Sequence, residues 1–271
     1  MQLITTTKGA VTYHYREFDS ISEFMEFIEG TPLNEVFRWA SLTSTSKGQR
    51  YWYNTNSWED AQERLKHGDK ALAEKLTGFM KLTKHPENKL VQKPSYSMAG
   101  YQASVPRYLQ GVPDSMIAKK QVVQKQKVIT ITKNIGYTAG FSAQDIIDEA
   151  ITAVKLINTI EARGVRCNLY VSSIAQAFDN VAVGFRIKVK GSNERTNMSK
   201  LAFPLANPSM LRRFSFRYRE VAPETTQSFR GGYGSSVQTP ELFTKRSGEY
   251  YIPTMVSEQT AESLLDSLGL K

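Results

Sequence analysis

Residues 208–219 read PSMLRRFSFRYR, in which Arg212, Arg213, Arg217 and Arg219 interleave with Phe214, Phe216 and Tyr218. Guanidinium groups neutralise phosphates and stack on bases. Aromatic rings add sequence-tolerant stacking on single strands, worth about 1–3 kcal/mol per base. Upstream, FRIKVK (185–190) sets Arg186, Lys188 and Lys190 on one phase of a strand, with Phe185, Ile187 and Val189 on the other. A basic strand face beside a basic aromatic segment makes a groove for a polyanion. Downstream, SFRGGYG (228–234) resembles one RGG-type element and adds Arg230. On this reading Arg212, Arg213, Arg217 and Arg219 contact phosphates, Phe216 and Tyr218 stack, and Lys188 and Lys190 extend the groove. Two other readings stay open. The arginines face water while Met210, Phe214 and Phe216 anchor a helix, or the surface engages a protein.

A second chemical candidate is the loop after KVITITKN, where Gly136 and Gly140 precede a long helical pattern. A Walker-type phosphate loop needs Lys and Ser/Thr directly after its second glycine, but Phe141 and Ser142 follow Gly140. The G-x-G turn that admits a dinucleotide pyrophosphate is also missing. The layout resembles the metal-ion-dependent adhesion site of von Willebrand factor A domains, in which a strand ends in Asp-x-Ser-x-Ser before a long helix. The stretch from Thr132 to Thr138 carries no carboxylate, and Lys133 has the wrong sign for a hard cation. The glycines therefore read as turn residues.

Nothing else points to catalysis. His14, His67 and His85 stand in separate segments with no carboxylate at ligand spacing, and no Ser occupies a G-x-S-x-G elbow. Asp145, Asp148 and Glu149 are explained by favourable placement near a helix N-terminus. The expectation is a non-enzymatic chain with no catalytic residue, no metal and no cofactor.

The 271 residues carry a formal charge of +9 at pH 7. Between Arg186 and Arg219 nine basic residues face the single acid Glu194, a concentration that suits a polyanionic partner. The lone Cys167 lies in the apolar stretch VRCNLYV and reads as a buried thiol; one cysteine forms no internal disulfide. The N-terminus lacks signal-peptide organisation and no segment has bilayer length, so the expectation is a cytoplasmic protein with no membrane partner.

These residues need elements to position them. Residues 2–18 alternate as a strand or hairpin arm. ISEFMEFIEG reads as a helix capped by Ser20 or Ser22, and SWEDAQERLKHG as one capped by Ser57 with Asp60 three residues on, its pattern extending through ALAEKLTGFMKLTK. From His85 to Met116 periodicity disappears, and Pro94, Pro106 and Pro113 mark an irregular strap whose Tyr96, Tyr101 and Tyr108 are expected to pack. Gln121–Lys133 reads as one strand, and Ser142 with Asp145 caps a helix that Gly164 ends. VRCNLYV and DNVAVGFRIKVKG follow as strands, which predicts a βαβ unit with parallel strands. Two short helical stretches, NMSKLAF and PSMLRRFSFRYREV, a turn-rich loop, a strand at EYYIPTMV and a C-terminal helix complete the chain.

The segments 56–76, 103–117, 157–171 and 201–216 resemble a family of tailed-bacteriophage proteins. The resemblance implies a protein of the infected bacterial cytoplasm, built on a von Willebrand A-like or Rossmann-like sheet without its metal motif. It also makes single-stranded-DNA-binding factors that recruit a phage RNA polymerase a fair comparison. The combined expectation is a three-layer α/β core over 118–271, preceded by an α+β region and strap over 1–117. Its function is binding single-stranded DNA in phage transcription or replication, with a phage polymerase or other phage protein as a further partner. The alternative is a scaffold or virion-associated protein.

Overall fold

The computed structural model describes residues 1–38, 41–47, 50–78, 90–123, 126–138, 140–177, 180–226, 229, 232–254 and 258–267. They form two compact units: Met1–His85 together with Val128–Lys271, and Pro86–Lys127.

The strands are β1 (Gln2–Lys8), β2 (Val11–Phe18), β3 (Leu90–Ser97), β4 (Gln102–Ala103), β5 (Met116–Val123), β6 (Val128–Asn134), β7 (Arg166–Gln176), β8 (Val181–Lys190), β9 (Ser235–Ser236) and β10 (Glu249–Ile252). The helices are α1 (Ile21–Gly30), α2 (Arg50–Tyr53), α3 (Trp58–His67), α4 (Lys70–Gly78), α5 (Val105–Leu109), α6 (Ala143–Ala162), α7 (Met198–Ala206), α8 (Phe216–Val221), α9 (Pro240–Phe243) and α10 (Glu258–Ser267). A π-helical turn, Met210–Ser215, leads directly into α8.

The larger unit is a mixed α/β fold on a sheet of order β1-β2-β8-β7-β6-β10, with β9 beside the end of β7. Neighbours are parallel at β2/β8, β6/β7 and β6/β10 and antiparallel at β1/β2, β7/β8 and β7/β9. The predicted succession of strand, helix and parallel strand is β6–α6–β7. Ser142 and Asp145 close a capping box at the start of α6, and Gly164 follows it at φ +84°. Ile146, Ile147, Ala150, Ile151, Val154, Ile157 and Ile160 bury the helical face read from the sequence. A second cluster, Tyr15, Ile174, Ala182, Leu242 and Phe243, covers the opposite face of the sheet, so β8 is buried on both sides.

Three expectations about organisation are corrected. The N-terminal residues are not a separate region: the β1–β2 hairpin joins the main sheet through β2, from Thr12↔Val181 to Phe18↔Ile187. The boundary between 117 and 118 therefore gives way to an insertion, Pro86–Lys127, in a single larger unit. The strand expected over Gln121–Lys133 is two strands in different sheets, β5 ending at Val123 and β6 starting at Val128. Alternation continues across that junction, so periodicity alone cannot mark it.

The stretch read as an irregular strap holds an antiparallel sheet of order β3-β5-β4. Pro94 is tolerated because β3 is an edge strand of that sheet. At Gly100 a Cβ would lie 2.2 Å from the Ile117 carbonyl oxygen, so only glycine lets the chain pass β5 so closely.

Candidate nucleic-acid interface

The arginine segment is inside the protein. Arg213 is fully buried; its Nε donates to Thr55 Oγ1 at 2.9 Å and its Nη1 to the carbonyls of Ser44 (2.8 Å) and Ser46 (3.3 Å), with the guanidinium 4.1 Å over Tyr53. Arg212, 2 % exposed, donates to the carbonyls of Trp52 and of Phe141, the latter at 2.6 Å. Arg219, also 2 % exposed, donates to the Tyr233 carbonyl at 2.9 Å and to Ser173 Oγ at 3.0 Å. Burial lowers all three, Arg212 and Arg219 to about 10. Tyr218 is buried with its hydroxyl donating to Glu224 at 2.9 Å, and Phe216 is half-buried and stacked on Tyr233 at 4.1 Å. Arg217 is half-buried, 3.5 Å from Glu220. Arg230 lies outside the described residues.

As surface contacts to the phosphates or bases of a nucleic-acid strand, then, Arg212, Arg213, Arg219 and Tyr218 are corrected. A π-helical turn widens the helix by a residue and breaks the 3.6 period that separates a wet face from a dry one. The arginines enter the interior and cap the carbonyls of neighbouring loops.

The basic face of β8 is likewise dispersed. Arg186 is 7 % exposed, pairs with Glu17 at 2.8 Å and lies 4.1 Å over Tyr170. The β7–β8 register shifts at this end: Tyr170 opposes Lys188 but Leu169 opposes Lys190. This bulge turns Lys190 to the sheet's other face, where it meets Glu161 of α6 at 2.5 Å and is 3 % exposed. Burial alone would raise Glu161, but bonds from Lys190 and Thr196 outweigh it and hold the carboxyl below its ordinary value. Lys188 stays half-buried on the original face. Period-2 reading could not place a bulge.

Lys133, which argued against a cation site, is a buried ammonium held by Glu149 at 2.6 Å and the Pro253 carbonyl at 2.7 Å. Desolvation lowers it to about 8 in spite of Glu149. Among the described residues no group of three metal-binding side chains assembles, and no helix is long and apolar enough to cross a membrane.

Exposed aromatic and basic groups meet instead in the Pro86–Lys127 unit. Its tyrosines, expected to pack, are open: Tyr96 is 53 %, Tyr101 61 % and Tyr108 71 % exposed. The pairings Tyr96↔Ile117 and Pro94↔Lys119 put Tyr96 and Lys119 on one face of the small sheet. Arg107 lies 4.3 Å over the Tyr96 ring and Lys119 Nζ 5.7 Å over Tyr101, so two exposed rings each carry a cation. On the reverse face exposed Lys93 stands directly opposite exposed Lys120, a like-charge pair that costs stability unless an anion screens it.

The unit's sequence holds seven basic residues against Glu87 and Asp114, a balance of +5 within the chain's +9. None of its residues with described side chains is buried. The signal was present as KPSY and AKK. Three prolines hid the strands that display it.

Residues 5–271 match the family described as Domain of unknown function (DUF7192), and the chain belongs to that family. No curated protein and no solved structure matches it.

Proposed function

We propose that this chain binds single-stranded nucleic acid, with DNA favoured and without catalysing a reaction on it, through the tyrosine and lysine face of the Pro86–Lys127 unit. One observation carries the reading: Tyr96 and Tyr101 are exposed, each beside a cation, on a small sheet with a surplus of positive charge. Single-strand binders combine stacking rings with backbone-tracking cations, and unpaired bases offer both faces to such rings. A duplex keeps its bases stacked and offers mainly phosphate.

The resemblance to tailed-phage proteins would place this binding in phage transcription or replication in the host cytoplasm, with a phage polymerase as a protein partner. On the same reading the larger unit is a von Willebrand A-like or Rossmann-like sheet without a metal site. The β6–α6–β7 succession and the buried Lys133–Glu149 pair support that assignment.

The test is a fluorescence-anisotropy titration of the full chain with a labelled single-stranded DNA, the matching duplex and heparin, over a salt series. Binding should favour the single strand, and Tyr96→Ala with Tyr101→Ala should weaken it about tenfold or more at unchanged salt slope. Equal weak binding to all three polyanions, indifferent to the tyrosines, would reject the reading. It would leave exposed Met98, Val105 and Leu109 as a protein-binding surface.

A further inference from the structure

The larger unit contains a cavity of about 520 Å³ walled by aromatic rings and two guanidinium groups. Phe216 stacks on Tyr233 at 4.1 Å, and the other flank of Tyr233 meets Phe37 at 5.6 Å. Tyr233 is thus packed by two rings, and half-buried Trp52, with Tyr53 at 5.0 Å and Phe216 at 6.0 Å beside it, also borders the cavity. Arg212 lies 4.6 Å over Trp52, and Arg219 lies 5.6 Å over Phe216.

The charge at this cavity is unbalanced. Among the described residues no Asp or Glu lines it, and neither Arg212 nor Arg219 pairs with a carboxylate. Glu220, which the Tyr233 hydroxyl touches, is already held by Ser44 and Arg217. Each guanidinium has five N–H donors, and among the described residues each makes two bonds to protein oxygens. Buried cations are ordinarily paired, because removing an isolated charge from water is costly. Two unpaired ones beside a hollow with aromatic walls are the complement of a flat ligand that brings its own negative charge. The volume falls within the range of small-molecule sites.

We propose that this cavity binds a nucleoside monophosphate, its base against Trp52 and its phosphate on Arg212 and Arg219. The site is independent of the interface proposed for residues 86–127, and failure of either leaves the other standing.

Isothermal titration calorimetry of the full chain with AMP, GMP, CMP and UMP tests the assignment, with adenosine and inorganic phosphate as the two halves of the ligand. Thr138 and Ser235 are exposed residues of the lining, so Thr138→Trp and Ser235→Trp fill the mouth without touching either arginine. At least one mononucleotide should bind, with each half alone about tenfold weaker or worse. Both filling variants should lose about tenfold or more in affinity while keeping the wild-type melting temperature. No binding of any of the four at about 1 mM overturns the proposal. So does adenosine binding as well as AMP, or full affinity in both filled variants.

Discussion

Replacing Arg213 by Ala should unfold the protein more readily instead of weakening a surface contact. The substitution strands the buried Ser44 carbonyl, which now accepts at 2.8 Å; the carbonyl of exposed Ser46 turns to water, and Thr55 Oγ1 keeps its bond with Ser209 at 2.6 Å. A buried acceptor left without a donor costs about 1–3 kcal/mol, and bonds to a charged donor lie toward the upper part of that range. Loss of the stem and of the cation over Tyr53 adds packing energy. Against this, the variant no longer buries a cation, a real penalty since burial already lowers the guanidinium's proton affinity and its Nη2 has no partner.

One stranded buried carbonyl toward the upper part of the range, with the lost packing and less part of that relief, leaves about 2 kcal/mol of destabilisation, a large share of a typical domain's roughly 5–15 kcal/mol. Urea denaturation followed by circular dichroism measures it, as a lower midpoint at constant m. Arg217→Ala is the control: half-buried and 3.5 Å from Glu220, it should cost about 1 kcal/mol or less. The reasoning fails if Arg213→Ala lies within about 0.5 kcal/mol of wild type yet loses nucleic-acid affinity about tenfold. Arg213 would then be a contact that the folded chain exposes.

Lys119→Gln, on the Tyr96 face, should lower the salt slope for single-stranded DNA by about 0.7, the value per phosphate contact, whereas Lys93→Gln with Lys120→Gln on the reverse face should leave the slope unchanged and not destabilise the small sheet, because those two like charges face each other. Gly100→Ala drives a Cβ into the Ile117 carbonyl and should abolish nucleic-acid binding while leaving the main melting transition in place; retained affinity would remove the small sheet from the site. Desolvation lowers Lys133 from 10.5 to about 8, so above about pH 8 the unfolded chain holds a proton that the folded chain releases, and stability rises with pH. Denaturation from about pH 7 to about pH 9 should show a gain of about 1 kcal/mol from this group, absent in Lys133→Met with Glu149→Leu. Above that range Cys167, pushed up to about 12 by burial, acts in the opposite sense, since the folded chain keeps a proton that the unfolded chain loses.

Local rules were legible without the fold. Ser20, Ser57 and Ser142 cap helices because their hydroxyls accept from backbone N–H groups three residues on, and the apolar face of α6 follows from its 3.6-residue period. The parallel β6–α6–β7 unit follows from its order along the chain. The fate of the charges was not legible. Alternation shows that Arg186 and Lys188 share a face, but only the second cluster around Phe243 shows that this face is covered, and only the bulge near Val189 turns Lys190 toward Glu161. The same limit holds for the arginines and tyrosines. A run such as RRFSFRYR looks alike whether water or loop carbonyls receive its guanidinium groups, and a π-helical turn sent Arg212, Arg213 and Arg219 inward. Tyr96, Tyr101 and Tyr108 stand in water because the insertion that holds them is too small to cover them. Residue type sets what a side chain can do, while its exposure is a property of everything packed around it, and that is decided only when distant segments meet.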